Sequence, residues 1–266
     1  MTDVVTWTIE DPSVPGEVEV HTLLPPGGAA DDLPMVLWLH GAASSADSLD
    51  RHASLFEDRW ADGSMPPVVA TCASTPTQGG FYTDRPDGAR WEHLVADVLR
   101  AATVERFGCD DGRVLVAGTS MGGYGALKLL CRDPGRYVGA VAVSPAVFAG
   151  DTPDEVPEAS RPAVLGELFS LLVGRPGESV STRLREGGDE LRRVAPPLFL
   201  GVGDSDDFGL QDGAEHLHRL LLDEGVHHHY VRWLGGTHMG PEAEPLTRAA
   251  FDFAATVLSR GATSSG

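Results

Sequence analysis

The feature that most constrains the fold is a glycine-rich turn that joins two apolar segments, at residues 114–127. Residues 114–117 are all apolar, which is typical of a short buried strand, and apolar residues with helical spacing follow the turn. The turn has the sequence Gly118-x-Ser120-x-Gly122. A serine at such a strand–turn–helix junction has a strained backbone, and glycine two residues to either side avoids a steric clash. The pattern predicts a nucleophile elbow that raises the hydroxyl of Ser120 above the sheet.

The same pattern has a simpler interpretation, in which the serine only caps the helix that follows. If Ser120 is a nucleophile, the N–H of Met121 lies in the first turn of that helix and has no partner within it. This N–H is then available to stabilise an oxyanion.

The chain has 266 residues and a formal net charge of −19 at pH 7. The length predicts a single α/β domain over residues 1–266. Strong negative charge repels phosphate backbones and anionic lipid, so we expect no nucleic-acid partner and no membrane association. The sequence has no basic, apolar start and no run of about 20 apolar residues, which predicts a cytoplasmic location.

The cysteines and histidines predict a site without metal. Cys72, Cys109 and Cys131 are odd in number and lack metal-ligand spacing, which indicates reduced and mostly buried thiols. The histidine run at residues 227–229 suggests a metal site, but neighbouring residues of a strand point to opposite faces of the sheet. We therefore expect no metal ion and no other cofactor.

Strand and helix patterns alternate along almost the whole chain, after an opening antiparallel hairpin. The hairpin is predicted at residues 4–10 and 17–24, further strands at 35–39, 67–72, 113–117, 138–143, 197–202 and 229–234, and helices at 46–58, 90–107, 211–224 and 242–258. Residues 145–195 are irregular, with one short apolar helix near 164–173. The sequence thus predicts a doubly wound, mostly parallel α/β sheet, with a short insertion after the sixth strand that covers the active-site rim.

A loop after the last predicted strand carries the base that a nucleophilic serine needs. A serine hydroxyl requires a base within hydrogen-bond reach, and that base requires an orienting carboxylate. In this class of sheet the chain order is serine, acid, histidine, each after a strand. His238 follows the strand at 229–234 on a glycine-rich loop and is the predicted base.

The orienting acid is expected among three aspartates in the loop after residues 197–202. We prefer Asp206, because it stands three residues after Gly203, where the loop can turn and bring a carboxylate under the histidine. Asp204 and Asp207 remain alternatives, and so does a solvated acidic loop without a catalytic role.

The second oxyanion donor is expected just past a central strand. His40-Gly41-Ala42 follows the strand at 35–39, beside the strand that leads to the elbow. The N–H of Ala42 is therefore predicted to act together with that of Met121.

Aromatic residues on two segments are candidates for the acyl pocket. Phe81 and Tyr82 lie on the long loop at 73–87, and Phe169 lies on the apolar helix of the insertion. Both segments are expected at the carboxyl edge of the sheet, where ligands of such sheets bind. The insertion is too short to enclose a long chain, so we expect short- to medium-chain acyl groups. The alternative is that the insertion helix only packs onto the body of the domain.

These segments resemble the "Putative esterase" (esterase D-like) family of α/β-hydrolases over residues 35–258, and the small bacterial carboxylesterases within it in particular. The resemblance implies a triad of Ser120, Asp206 and His238, with Ala42 and Met121 as oxyanion donors. This sequence differs from the S-formylglutathione hydrolases of that family, whose oxyanion region carries a cysteine and lacks the His-Gly pair. The motifs that carry the resemblance are Leu39-His40-Gly41, Phe81-Tyr82-Thr83-Asp84, Arg90-Trp91-Glu92, residues 118–127, Gly203-x-x-Asp206-x-Phe208 and His238.

Together, the residues and the resemblance predict a serine carboxylesterase. It would hydrolyse small-molecule esters with short- to medium-chain acyl groups through an acyl-enzyme on Ser120. Two alternatives remain: an acyltransferase that uses the same acyl-enzyme, and a catalytically silent ligand-binding member of the fold.

Overall fold

One sheet of eight strands, in the order β1-β2-β4-β3-β5-β6-β7-β8, runs through the computed structural model. The structure describes residues 2–77, 80–86, 88–150, 153–156, 158 and 166–260. β1 and β2 pair antiparallel with each other and β2 pairs antiparallel with β4, whereas the pairings from β4 to β8 are parallel. The strands are β1 (Asp3–Glu10), β2 (Glu17–Leu24), β3 (Pro34–Leu39), β4 (Val69–Ala73), β5 (Asp110–Thr119), β6 (Gly139–Val143), β7 (Leu198–Gly203) and β8 (His229–Trp233).

Helices cover both faces of this sheet. They are α1 (Ala53–Asp62), α2 (Trp91–His93), α3 (Leu99–Phe107), α4 (Met121–Arg132), α5 (Gly166–Gly174), α6 (Val180–Val194), α7 (Gln211–Asp223) and α8 (Glu244–Arg260). A π-helical turn, Leu94–Val98, joins α2 to α3, and a 3₁₀ helix, Ala46–His52, precedes α1.

The central strands are buried on both faces, as their continuous apolar runs predict. Along β3, Met35 and Leu37 belong to the core that α3, α4, α6 and α7 cover, whereas Val36 and Trp38 belong to the core under α1 and α8. The alternation follows from the two-residue period of a strand. The predicted doubly wound, mostly parallel α/β sheet is confirmed.

The prediction of an irregular stretch before residue 195 is wrong, because α6 is a regular helix of 15 residues. Val180, Leu184 and Leu191 lie on its buried face. Gly187 obscures the helix in the sequence, since glycine is a poor helix former. A Cβ atom at Gly187 would lie 2.8 Å from the carbonyl oxygen of Cys131 on α4, so close packing of α6 against α4 requires the glycine.

The insertion also contains α5, which matches the predicted apolar helix near residues 164–173 from residue 166 onwards. Residues 164–165 of that prediction lie outside the described residues. In the described part of the chain, no helix has both the length and the apolar character needed to cross a membrane.

Candidate active site

Ser120 lies in the turn between β5 and α4 with a left-handed backbone, φ 57° and ψ −117°. A Cβ atom at Gly118 would lie 2.4 Å from the carbonyl carbon of Gly122, and one at Gly122 would lie 1.8 Å from the carbonyl oxygen of Leu39. Both contacts are far closer than carbon atoms tolerate, so the two glycines are required by the tight turn and by its approach to β3. The serine is held at the carboxyl edge of the sheet, partly exposed.

His238 and Asp206 form a buried pair beside this turn. The Nδ1 atom of His238 lies 2.8 Å from Oδ2 of Asp206, and the two side chains are only 5% and 0% exposed. Burial raises the pKa of Asp206, but the hydrogen bond and charge of His238 and the backbone N–H groups of Phe208 and Leu210 outweigh it and hold that pKa below its usual value. Asp206 is therefore an ionised acceptor, and Nδ1 of His238 carries the proton that it donates.

The other two aspartates of the loop bind backbone instead of the imidazole. Oδ1 of Asp204 accepts from the N–H of Gly235 at 2.7 Å, and Oδ2 of Asp207 accepts from the backbone N–H of His238 at 3.1 Å. Of the three predicted candidates, the structure thus brings Asp206 to the ring of the histidine, while Asp204 and Asp207 connect its loop to the loop after β8.

An aromatic contact also restrains the imidazole. The ring of Phe208 meets the ring of His238 edge to face, with centroids 4.6 Å apart and planes at 71°. Phe208 also donates its backbone N–H to Asp206, at 3.0 Å. One residue therefore restrains both the acid and the base.

Ser120, His238 and Ala42 line one open cleft of about 850 Å³. A Cβ atom at Gly41 would lie 3.6 Å from Cβ of Ser120, so the loop that carries Ala42 runs directly beside the serine. Met121 is the first residue of α4, where a backbone N–H has no acceptor within the helix. The structure thus brings the predicted nucleophile, base and oxyanion donors to one edge of the sheet.

The structure does not place Phe81 and Tyr82 in the wall of the cleft, where the sequence predicts them. They are only 2% and 0% exposed, and neither is among the residues that line the cleft. Both have left-handed backbones, φ 46° and 48°. The ring of Phe81 packs edge to face on Tyr124, at 6.1 Å, and the hydroxyl of Tyr82 donates to the carbonyl oxygen of His40.

Phe169 lies beside a second, much smaller cavity of about 10 Å³. Its ring packs edge to face on Phe148, at 5.6 Å. The cavity also reaches Ala146, whose N–H donates to the carbonyl oxygen of Ser120 at 2.9 Å. The insertion helix therefore lines an apolar space close to the serine.

Among the cleft residues that are not predicted from the sequence are Trp38 and His52. Trp38 ends the buried face of β3, and the ring of His52 packs on it at 4.5 Å. Burial, helped by the charge of Arg51, lowers the pKa of His52 to about 4. His52 therefore contributes a neutral imidazole to the cleft, and no spacing in the sequence marks it.

The histidine run at residues 227–229 takes part in other contacts. Among the residues that the structure describes, no three His, Cys, Asp or Glu side chains come together in a way that could hold a metal ion. His228 is instead hydrogen-bonded to His218 at 2.7 Å and to the carbonyl oxygen of Val226 at 2.9 Å, and His229 stacks on Phe199.

Comparison with known proteins gives one family and a common fold. The family model described as "Putative esterase" matches residues 12–230. A ferulic acid esterase of known structure is 18% identical, with a TM-score of 0.81 and coverage of 97% of this chain and 98% of the other. An S-formylglutathione hydrolase from Staphylococcus aureus is 20% identical, with a TM-score of 0.72 and coverage of 97% and 99%. A fluorophosphonate-binding serine hydrolase from the same organism is 18% identical, with a TM-score of 0.72 and coverage of 97% and 98%. At these identities the structural likeness establishes the fold, that of the α/β-hydrolases.

Proposed function

We propose that this chain, which belongs to the "Putative esterase" family of carboxylic ester hydrolases, uses Ser120 as the nucleophile of a serine carboxylesterase. The observation that carries the proposal is that Ser120 and His238 meet in one cleft at the carboxyl edge of the sheet. A serine with a strained backbone shares a cleft with His238, and the far side of that imidazole is bound to a buried carboxylate. Ligand binding alone does not require this arrangement.

The geometry supports a two-step mechanism. Because Nδ1 of His238 donates to Asp206, Nε2 is free to take the proton of the Ser120 hydroxyl as the oxygen attacks the ester carbonyl. The N–H groups of Ala42 and Met121 stabilise the oxyanion of the tetrahedral intermediate. His238 then protonates the leaving alcohol, which leaves an acyl group on Ser120. Water, deprotonated by the same imidazole, releases the acid and restores the serine.

Asp206 acts through His238. Its lowered pKa keeps the carboxylate ionised, so it stabilises the imidazolium that forms when the serine is deprotonated. It also selects the tautomer in which Nε2 is the base.

Reaction with a phosphonate probe tests the nucleophile directly. An alkyl fluorophosphonate is expected to modify Ser120 with loss of fluoride, because the probe needs an activated serine and an oxyanion site. Peptide mapping of the labelled protein measures the position. Labelling should fall by several orders of magnitude in His238→Ala, whose serine has no base. A label on another residue, or equal labelling of both proteins, would contradict the proposal.

We further propose that the acyl group extends from Ser120 toward the small cavity that Ala146 and Phe169 line, while the large cleft takes the alcohol portion. A cavity of about 10 Å³ has room for one water-sized group. A long acyl chain would have to displace the ring of Phe169, so we expect short-chain esters to be preferred over long-chain esters.

A series of p-nitrophenyl esters from acetate to palmitate measures this selectivity. Butyrate is expected to give a higher kcat/KM than palmitate, and Phe169→Ala should shift the optimum to longer chains because it enlarges the cavity. Phe107→Ala is the matched control, since Phe107 is also partly buried but packs on Trp7, at the N-terminal hairpin. Palmitate turned over faster than butyrate, or an equal shift in the control, would contradict the assignment of the cavity.

A further inference from the structure

The hydroxyl of Tyr82 contacts the loop that carries Ala42, although the side chain of Tyr82 does not line the cleft. It donates to the carbonyl oxygen of His40 at 3.0 Å, and the side chain is completely buried. His40 is followed by Gly41 and Ala42, which carries one of the two proposed oxyanion donors. The bond therefore holds the backbone two residues before that N–H.

Further bonds fix the same loop from the segment that follows β4. The N–H of Thr75 donates to Nε2 of His40 at 2.9 Å, so Nδ1–H of His40 donates to the carbonyl oxygen of Gly41 at 2.8 Å. Burial lowers the pKa of His40, which favours the neutral form of this ring. The N–H of Ala43, at φ 55°, donates to Oγ1 of Thr77 at 2.7 Å. Three contacts thus hold a loop whose backbone includes a left-handed alanine.

Tyr82 is itself attached to the helix that carries the other donor. Nζ of Lys128 on α4 donates to the carbonyl oxygen of Tyr82 at 3.0 Å. Lys128 is fully buried and forms ion pairs with Glu92 and Glu178. Arg183 also binds both of these carboxylates, so the two positive charges balance the two negative ones. The buried lysine is thereby held in place. This anchor also explains why Tyr82 persists in a left-handed conformation, which is costly for a residue with a side chain.

We propose that Tyr82 is a positioning residue that sets the spacing between the two oxyanion donors. Through Lys128 it is joined to α4, which begins with Met121, and through His40 it is joined to the loop that bears Ala42. Oxyanion donors act only when they lie about 2.7–3.1 Å from the oxygen of the transition state, so a small displacement of one of them lowers the rate. The inference rests on the proposed function, because it needs Ser120 to generate an oxyanion.

Tyr82→Phe removes the bond and keeps the ring. We expect kcat to fall about 10- to 100-fold with KM changed less than about twofold, because the lost interaction acts in the transition state. Thr103→Val is the control: Thr103 is also fully buried and its hydroxyl donates to a backbone carbonyl, that of Leu99, at 2.7 Å. Both substitutions should lower the thermal midpoint, but the control should keep kcat within about twofold.

The affinity for an inhibitor that mimics the oxyanion tests the donors directly, and a loss of protein stability alone does not change it. The hydroxyl oxygen of an active serine adds to the carbonyl carbon of an alkyl trifluoromethyl ketone, its proton passes to His238, and the former carbonyl oxygen becomes a hemiketal oxyanion. Its inhibition constant should rise in Tyr82→Phe by about the factor by which kcat/KM falls. Thr77→Val, at a partly exposed site, should give a smaller loss of kcat in the same direction, even if Tyr82→Phe folds poorly.

Two results would overturn the positioning role of Tyr82: wild-type kcat in Tyr82→Phe, or an equal loss of kcat in Thr103→Val. Ser120→Ala, assayed in parallel, separates this failure from failure of the proposed function. If Ser120→Ala remains active, the proposed function fails. If it is inactive while Tyr82→Phe is unimpaired, the inference about Tyr82 alone is wrong.

Discussion

Replacement of Ser120 by alanine is expected to lower kcat for ester hydrolysis by about 10⁶-fold, the usual cost of losing the nucleophile of a triad. The protein should remain folded, because alanine is no larger than serine and meets the same left-handed backbone, φ 57°. Activity toward p-nitrophenyl butyrate and the thermal midpoint, measured on the same preparation, separate loss of chemistry from loss of structure.

Ser144→Ala is a matched control for this substitution. Ser144 also has a left-handed backbone, φ 41°, and follows β6, the strand next to that of Ser120. Its backbone N–H donates to Gly201, which fixes its position independently of the side chain. We expect Ser144→Ala to keep kcat within about tenfold. A Ser120→Ala protein that retains a tenth of the wild-type rate would exclude the serine as the nucleophile.

The elbow could be predicted from the sequence because a strand, a strained serine and a helix follow one another within 14 residues, with glycines at fixed positions. The structure shows one local and one long-range reason for these glycines: a side chain at Gly118 would overlap the backbone of Gly122, and one at Gly122 would overlap that of Leu39 on β3. The positions of the acid and base loops could also be predicted, from the alternation of strands and helices. Parallel strands end at the same edge of the sheet, so the loops that follow them lie together.

The choice of Asp206 over its neighbours depends on a contact that the sequence does not display. A Cβ atom at Gly203 would lie 2.0 Å from the carbonyl oxygen of Gly236, so this glycine lets the acid loop pack directly on the base loop. The sequence argument used Gly203 only as a place where the chain can turn. Its larger contribution is an approach between residues that are far apart in sequence.

Long-range contacts also account for what the sequence leaves out. Two aromatic residues on a long loop resemble a pocket wall, yet Tyr82 is buried, and its backbone carbonyl oxygen is bound by Lys128, which is 46 residues away in the chain. Likewise, glycine lowers the helical signal around Gly187, although the packing of α6 on α4 requires it. In both cases the interaction that decides the structure joins segments whose proximity only the folded chain reveals.

The second large effect is expected at Asp206, where replacement by asparagine should lower kcat by about 10⁴-fold. An amide can turn its NH₂ group toward Nδ1 of His238, which then becomes an acceptor, and the proton moves to Nε2. The imidazole loses both its role as base and the negative charge that stabilises its protonated form. Because the side chain of Asp206 is completely buried, solvent cannot stabilise the imidazolium in place of that charge.

Asp204→Asn and Asp207→Asn are controls of equal size within the same loop. Both native carboxylates accept backbone N–H groups, those of Gly235 and His238, and an asparagine side-chain oxygen can still accept them. We therefore expect each control to keep kcat within about tenfold, although loss of charge weakens the bond and lowers the thermal midpoint slightly. If Asp207→Asn is as damaging as Asp206→Asn, the backbone position of His238 controls the rate more than the charge beside its ring. If Asp206→Asn is nearly silent, the imidazole does not act as the base through this pair, and the assignment of the triad is wrong.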